Sequence, residues 1–201
     1  MIKEKTPIKF TLNGKEIAAS PDSRLLDIIE TEGFQIPHLC FNSNYRADGN
    51  CRSCVVEISG EKTLAPSCCR RPENGMEVYT HSERAESARK MVLEMLGSDT
   101  KSDQATKKNH ELRDWSEKLE IKNFRLPKNI DKRIDDSNPA IAVNYEECIK
   151  CTRCIRACRE AQANDVIGFA FRGKESRIVF DLDDNMGAST CVSCGECVQA
   201  C

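Results

Sequence analysis

The sequence predicts an α+β fold in three successive parts, and three observations carry that prediction. A hairpin signal, a helix and further strand-like runs follow one another over residues 7–80. A helical stripe free of cysteine follows at Ser82–Gly97. Beyond Ala140 lies an internal repeat, two copies of one cysteine run separated by two short strand-like runs.

Each element has a local reason. Ile8–Leu12 and Glu16–Ala18 flank Asn13 and Gly14, a pair that tolerates positive φ at both positions of a tight hairpin turn. Pro21, Asp22 and Ser23 open a helix carrying Leu25, Leu26, Ile28 and Ile29, which Gly33 stops. Ile36–Cys40 begins an irregular loop, and Val55–Ile58 and Glu77–Thr80 read as strands. Hairpin, helix and further strands in this order form a β-grasp pattern. Ser82 is the expected N-cap of the next helix, with Ala85, Ala88, Val92, Met95 and Leu96 along one side as core packing. A second helix is expected over Gln104–Leu119 with a solvated charged face, and Pro127 and Pro139 bracket an extended connector. Val166–Phe171 and Arg177–Phe180 read as strands with Gly173 in their turn. The expected parts are therefore 1–81, 82–139 and 140–201.

Composition narrows the chemistry. Among 201 residues there are 13 cysteines, a thiol content that signals disulfides or metal. A disulfide framework needs an oxidising compartment, normally reached through a secretory signal, and no apolar run of signal length follows Met1. No stretch approaches the roughly eighteen apolar residues of a membrane span. A formal charge of -2 without a long basic stripe argues against nucleic acid. The expectation is a cytoplasmic metalloprotein with no nucleic-acid partner and no membrane span.

The repeat reads Cys148-x2-Cys151-x2-Cys154-x3-Cys158 and again Cys191-x2-Cys194-x2-Cys197-x3-Cys201. Three cysteines at this spacing wrap one side of an iron–sulfur cube. In two-cluster ferredoxins the fourth ligand comes from the other copy. The reading is one [4Fe-4S] cluster on Cys148, Cys151, Cys154 and Cys201, and a second on Cys191, Cys194, Cys197 and Cys158. Zinc closes tetrahedrally on four ligands and would leave part of each run idle, so a zinc-stabilised interaction module is the rival of another class. The two-cluster pattern places Pro after the fourth cysteine; Arg159 stands there, and it is not a ligand.

The first block is spaced differently. Cys40 is followed after ten residues by Cys51 and Cys54, with Cys68 and Cys69 further on. A plant-type [2Fe-2S] site has a Cys-x4-Cys-x2-Cys loop and a distant fourth ligand, and here the first gap is longer. Gly49 and Asn50 permit a turned backbone whose amides face sulfur. His38, His81 and His110 are isolated and are not read as ligands, and cysteines claimed by iron leave no Cys–His catalytic pair.

The segments Asn50–Ile58, Leu64–Cys68 and Gly75–Met76 together resemble the N-terminal [2Fe-2S] domain of the large iron–sulfur subunit of respiratory complex I. [FeFe]-hydrogenases and the alpha subunits of NAD-linked molybdenum or tungsten formate dehydrogenases carry the same module. Cys148–Gln162, Ile167–Phe169 and Cys191–Cys197 fit this group as well, so the resemblance covers almost the whole chain. It implies Cys68 as the fourth [2Fe-2S] ligand beside Cys40, Cys51 and Cys54, leaving Cys69 as the odd thiol. Many members bind a further cluster in the connector through one His and three Cys. Here Thr100 stands in place of that His and no cysteine follows over residues 101–108, so that cluster is expected to be absent. This departure favours the formate dehydrogenase alpha group over hydrogenase or complex I.

The resemblance also implies a continuation. Formate dehydrogenase alpha subunits run on into a catalytic domain holding a molybdopterin cofactor, whereas this sequence stops on Cys201, a proposed ligand. The expectation is a fragment without catalytic residues of its own. It would serve as the electron-transfer part of an oxidoreductase. Its expected partners are the catalytic domain of the same polypeptide and a flavin- and NAD-binding diaphorase-type subunit or a ferredoxin.

Overall fold

The computed structural model describes residues 6–100, 110–121 and 124–201. They fall into two compact units, one made of the chain up to Leu39 with Cys51–Val92, the other of Cys40–Asn50 with Leu93–Cys201.

The first unit is built on a five-stranded sheet of order β2-β1-β5-β3-β4. β1 (Ile8–Leu12) and β2 (Lys15–Ala19) pair antiparallel through a turn in which Asn13 and Gly14 both adopt positive φ, 50° and 84°. β3 (Val55–Ile58) lies antiparallel to both β4 (Ala65–Pro66) and β5 (Glu77–Tyr79), and β5 runs parallel to β1. Phe10, Leu12, Val56 and Val78 are buried. So are Leu25, Leu26, Ile28 and Ile29 of α1 (Leu25–Thr31). The helix starts later than expected: Ser20 to Ser23 close a turn, and Arg24 stands at the N-cap, its side chain bonded to Asp27 rather than to a helix amide. The first amides of α1 instead find the carbonyls of Arg70 and Ser67, so the helix start is tied to the chain that leaves β4.

α2 spans Glu83–Ser98, and the Ser82 hydroxyl accepts the Ala85 amide at 3.2 Å as a cap should. Its buried face is not the expected stripe. Ala85, Arg89 and Leu93 are buried, whereas Met95 is exposed and Ala88, Val92 and Leu96 are half-buried. The face is turned toward Arg89, a cation that an apolar pattern cannot place inside.

The expected helix from Gln104 is also shorter. Residues 104–109 lie outside the described residues. His110 is extended and caps α3 (Glu111–Lys118), accepting from the Arg113 amide at 3.4 Å. In the second unit β6 (Ile134–Asp135) and β7 (Val143–Asn144) form a two-residue ladder too short for periodicity to reveal. α4 (Arg153–Arg156) runs into a π-helical turn at Ala157–Ala161, and β8 (Ile167–Ala170) and β9 (Arg177–Phe180) pair as the expected hairpin. α5 spans Glu196–Ala200. Tyr145, Ile155, Val166, Ile178, Phe180 and Met186 form the core of this unit, and Cys158 is buried among them.

Residues 40–50 have no regular structure, yet polar contacts hold them along their length. The Tyr45 hydroxyl donates to Glu196 at 2.8 Å, and Tyr45 is buried with Ala157 and Ala200. The Arg46 amide donates to Glu160 at 2.8 Å, and the Thr152 hydroxyl to Asp48 at 2.8 Å.

Candidate metal centres

In the first unit the sheet sets up the thiols. β3 begins directly after Cys54, and its antiparallel partner β4 ends two residues before Cys68, with Val55 opposite Pro66. The Ser67 hydroxyl closes this junction by donating to the Cys54 carbonyl at 2.8 Å. Cys51, Cys54 and Cys68 are buried, whereas Cys69 is exposed with its sulfur 3.6 Å from that of Cys68. Arg52 has a left-handed backbone, φ 59°, as the turned loop around Cys51 requires. The Ser53 hydroxyl lies 3.0 Å from the Cys51 sulfur and accepts the Leu39 amide. Cys40, the remaining expected ligand, is buried and opens the segment belonging to the second unit. His38 is engaged elsewhere, with Nδ1 3.1 Å from the Ile36 carbonyl.

The two cysteine runs of the second unit share one backbone path. Lys150 and Thr152 in the first copy have positive φ, 54° and 64°, and Ser193 and Gly195 at the matching positions of the second have 54° and 79°. Three of these four are not glycine, and a left-handed conformation costs such residues roughly 1–2 kcal/mol each. The reward is the direction of the amides: that of Ser193 donates to the Cys191 sulfur at 3.4 Å, and those of Lys150 and Arg153 favour the thiolate forms of Cys148 and Cys151. Amides aimed at sulfur donate to the negative charge that an anionic cluster places there.

The thiols sense one another in two groups. Burial pushes Cys151 up to about 11, and the nearby Cys201 and Cys148 add to it. Burial also raises Cys148, with Cys201 contributing, and it raises Cys154, with Cys151, Cys148 and Cys201 contributing before Cys197. Cys197 is raised by burial and then by Cys191, Cys194 and Cys158. A charge on Cys201 thus raises the thiols of the first run, and a charge on Cys158 raises that of Cys197 in the second. Among the described residues no three Cys, His, Asp or Glu side chains converge where a single metal ion could sit.

Thiolate donors, inward amides and one further feature fit iron–sulfur clusters. Arg89 is 2% exposed, with its guanidinium on the Val55 carbonyl beside Cys54 and no carboxylate within ion-pair distance among the described residues. Burial lowers its pKa to about 10, with a Cys54 thiolate and Glu86 acting in the opposite direction. A buried cation without a carboxylate suits a site that receives negative charge.

Residues 5–83 match the family described as a 2Fe-2S iron-sulfur cluster binding domain, and residues 131–201 match a 4Fe-4S dicluster domain. This chain is an iron–sulfur electron-transfer module. It is 31% identical to the NADP-reducing hydrogenase subunit HndD of Solidesulfovibrio fructosivorans over 96% of its own length and 35% of that protein's. The mitochondrial NADH-ubiquinone oxidoreductase 78 kDa subunit of Candida albicans is 27% identical, over 92% of this chain and 27% of its own. A putative formate dehydrogenase of Staphylococcus aureus strain USA300 is 27% identical, over 95% of this chain and 20% of its own. The module thus spans about a third or less of the length of these relatives. A crystal structure of an NAD+-reducing [NiFe]-hydrogenase superposes with a TM-score of 0.80 at 26% identity, over 92% of this chain and 80% of the other.

The connector stretch expected to lack a cluster begins at Thr100, which is fully buried with no hydrogen-bond partner for its hydroxyl among the described residues; residues 101–108 lie outside the described residues. Among the described residues, no helix of the module is long and apolar enough to cross a membrane. Sequence reasoning missed Arg89, Arg156 and Tyr45. Each acts through a partner distant in the chain, and no local signal marks them.

Proposed function

We propose that the module carries one [2Fe-2S] cluster on Cys40, Cys51, Cys54 and Cys68 and two [4Fe-4S] clusters with crossed ligation, Cys148, Cys151, Cys154 with Cys201 and Cys191, Cys194, Cys197 with Cys158. The observation that carries this reading is the repeated four-cysteine run on one backbone path, with left-handed turns at Lys150 and Thr152 matched at Ser193 and Gly195; the influence of Cys201 on the first run and of Cys158 on Cys197 supports the crossed scheme. When bound, such clusters supply one-electron transfer at potentials between roughly -700 and +450 mV. The chain's own residues bind, orient and shield: the β3–β4 junction holds Cys54 and Cys68, the left-handed turns aim amides at sulfur, and the apolar core excludes water from Cys158. In this reading the first eighty or so residues form a β-grasp domain, and the three parts 1–81, 82–139 and 140–201 work in the cytoplasm as one wire.

The finer reading is a wire between a formate-oxidising molybdopterin site, in a catalytic domain outside the 201 residues, and a flavin- and NAD-binding subunit or a ferredoxin. The absent connector ligands and the likeness to putative formate dehydrogenases support it. A hydrogenase wire is the second reading, supported by the 31% identity to HndD. Iron and sulfide analysis of anaerobically purified protein tests the cluster content: about ten irons, two plus four plus four, are expected. Tightly bound zinc without sulfide would reject it. The complex isolated from its host separates the two parentages. Formate-dependent NAD reduction with bound molybdenum or tungsten supports the first, and hydrogen-dependent reduction the second.

A further inference from the structure

The ten residues between Cys40 and Cys51 exceed the four of a plant-type loop, and their extra length is fastened rather than loose. Arg156 does much of the fastening. It lies two residues after Cys154 and two before Cys158, and it is 5% exposed. One arm of its guanidinium donates to the Cys40 carbonyl and the other to the Arg46 carbonyl at 2.8 Å, while Nε stands 3.4 Å from the Asp48 carboxylate. A planar fork reaches three points of the segment at once, which a lysine ammonium on a flexible stem cannot reproduce.

Resting on the ligand assignments above, we propose that Arg156 is a positioning residue that ties the backbone of Cys40, a [2Fe-2S] ligand, to the first [4Fe-4S] run. The repeat supplies an internal control. Gln199 holds the position of Arg156 in the second copy, although all four cysteines recur there. A side chain needed to wrap a cube would be needed twice. Arg156 is needed once, on the copy that reaches Cys40, Arg46 and Asp48, whereas the second copy meets the segment at Tyr45 through Glu196 and Ala200.

The test uses the full chain with its clusters, purified anaerobically, as wild type, Arg156→Gln, Arg156→Lys and Asp48→Asn. Hydrogen exchange at residues 40–50 in Arg156→Gln should quicken by about ten-fold or more, the scale of losing a charge-assisted hydrogen bond. The [2Fe-2S] signal in electron paramagnetic resonance should broaden or shift, while the [4Fe-4S] signals stay unchanged. Arg156→Lys should fall between wild type and Gln, and Asp48→Asn, which removes no atom of either cysteine run, should quicken exchange and leave the [4Fe-4S] signals unchanged. Unchanged exchange and an unchanged [2Fe-2S] signal would overturn the proposal. So would loss of the [4Fe-4S] signals alone, because Arg156 would then serve only its own run. Should Arg156→Gln fail to fold, Asp48→Asn decides by the same two readouts. Cys40→Ser separates the underlying assignment: a surviving [2Fe-2S] signal there rejects Cys40 as a ligand, while the exchange measurement still judges Arg156.

Discussion

Replacing Arg89 with Met removes a buried positive charge from beside Cys54 while keeping much of the side chain's bulk. Without clusters, two effects oppose each other. Burial lowers the Arg89 pKa from 12.5 to about 10, a desolvation cost of roughly 3 kcal/mol. The guanidinium in turn satisfies the buried Val55 carbonyl through bonds of 3.0 and 2.6 Å, and leaving that oxygen unpaired costs about 1–3 kcal/mol. The apo protein should therefore change in stability by no more than about 2 kcal/mol. With a cluster bound the balance shifts. Chain geometry keeps the guanidinium within about 10 Å of the Cys54 sulfur. At an effective dielectric of about 20, one unit charge at that range interacts with an added electron by about 1.7 kcal/mol. That is about 70 mV for a one-electron couple. Reduction adds negative charge, so losing the cation should lower the [2Fe-2S] midpoint by about that amount, while Arg89→Lys should hold it within about 20 mV. A redox titration followed by electron paramagnetic resonance measures both. A midpoint in Arg89→Met that stays put or rises would refute the electrostatic role.

Other outcomes follow from particular thiols and contacts. Cys68→Ser should abolish the [2Fe-2S] signal and Cys69→Ser should leave it, and the reverse would exchange the two roles. Cys201→Ser should damage the cluster held by Cys148, Cys151 and Cys154; loss of the other cluster alone would break the crossed scheme. Gly97→Ala should destabilise the protein by about 1–3 kcal/mol in urea denaturation, because a Cβ there would clash with the Phe124 ring. In the apo protein the thiol of Cys151 rises from 9.0 to about 11, so the native state holds its proton more tightly than the unfolded chain. That stability is fully present below about pH 9 and is lost as pH rises toward about 11, which urea midpoints measured across the range would record.

Local signals were legible where short-range chemistry decides the structure. Asn13 and Gly14 needed only their own tolerance of positive φ, and the repeated cysteine run announced its backbone because both copies must turn in the same places. The buried face of α2 was misjudged because Arg89 carries a charge, and hydropathy assigns charge to the surface. Its partner, the carbonyl of Val55, lies 34 residues away. The first cysteine gap was visibly long, yet what occupies it depends on contacts between residues 110 and 116 positions apart, Arg46 with Arg156 and Cys40 with Arg156. Periodicity and spacing carry no information at that range.

The repeat shows how two identical ligand sets come to serve different surroundings. Thr152, Arg153 and Arg156 of the first copy correspond to Gly195, Glu196 and Gln199 of the second. Thr152 and Arg156 bind residues of the 40–50 segment, and Arg153 forms a two-pronged ion pair with Glu111 of α3 at 2.7 and 3.1 Å. Glu196 accepts from Tyr45. These three positions reach outward, while the cysteines and the left-handed turns are shared. Divergence at these positions therefore reports what each copy touches rather than what it binds. A chain in which Thr152, Arg153 and Arg156 were changed to their second-copy counterparts should keep all its iron and loosen its hold on residues 40–50, leaving the Tyr45–Glu196 and Arg46–Glu160 contacts. Loss of iron from the first run in that variant would show instead that the outward positions also serve the cluster.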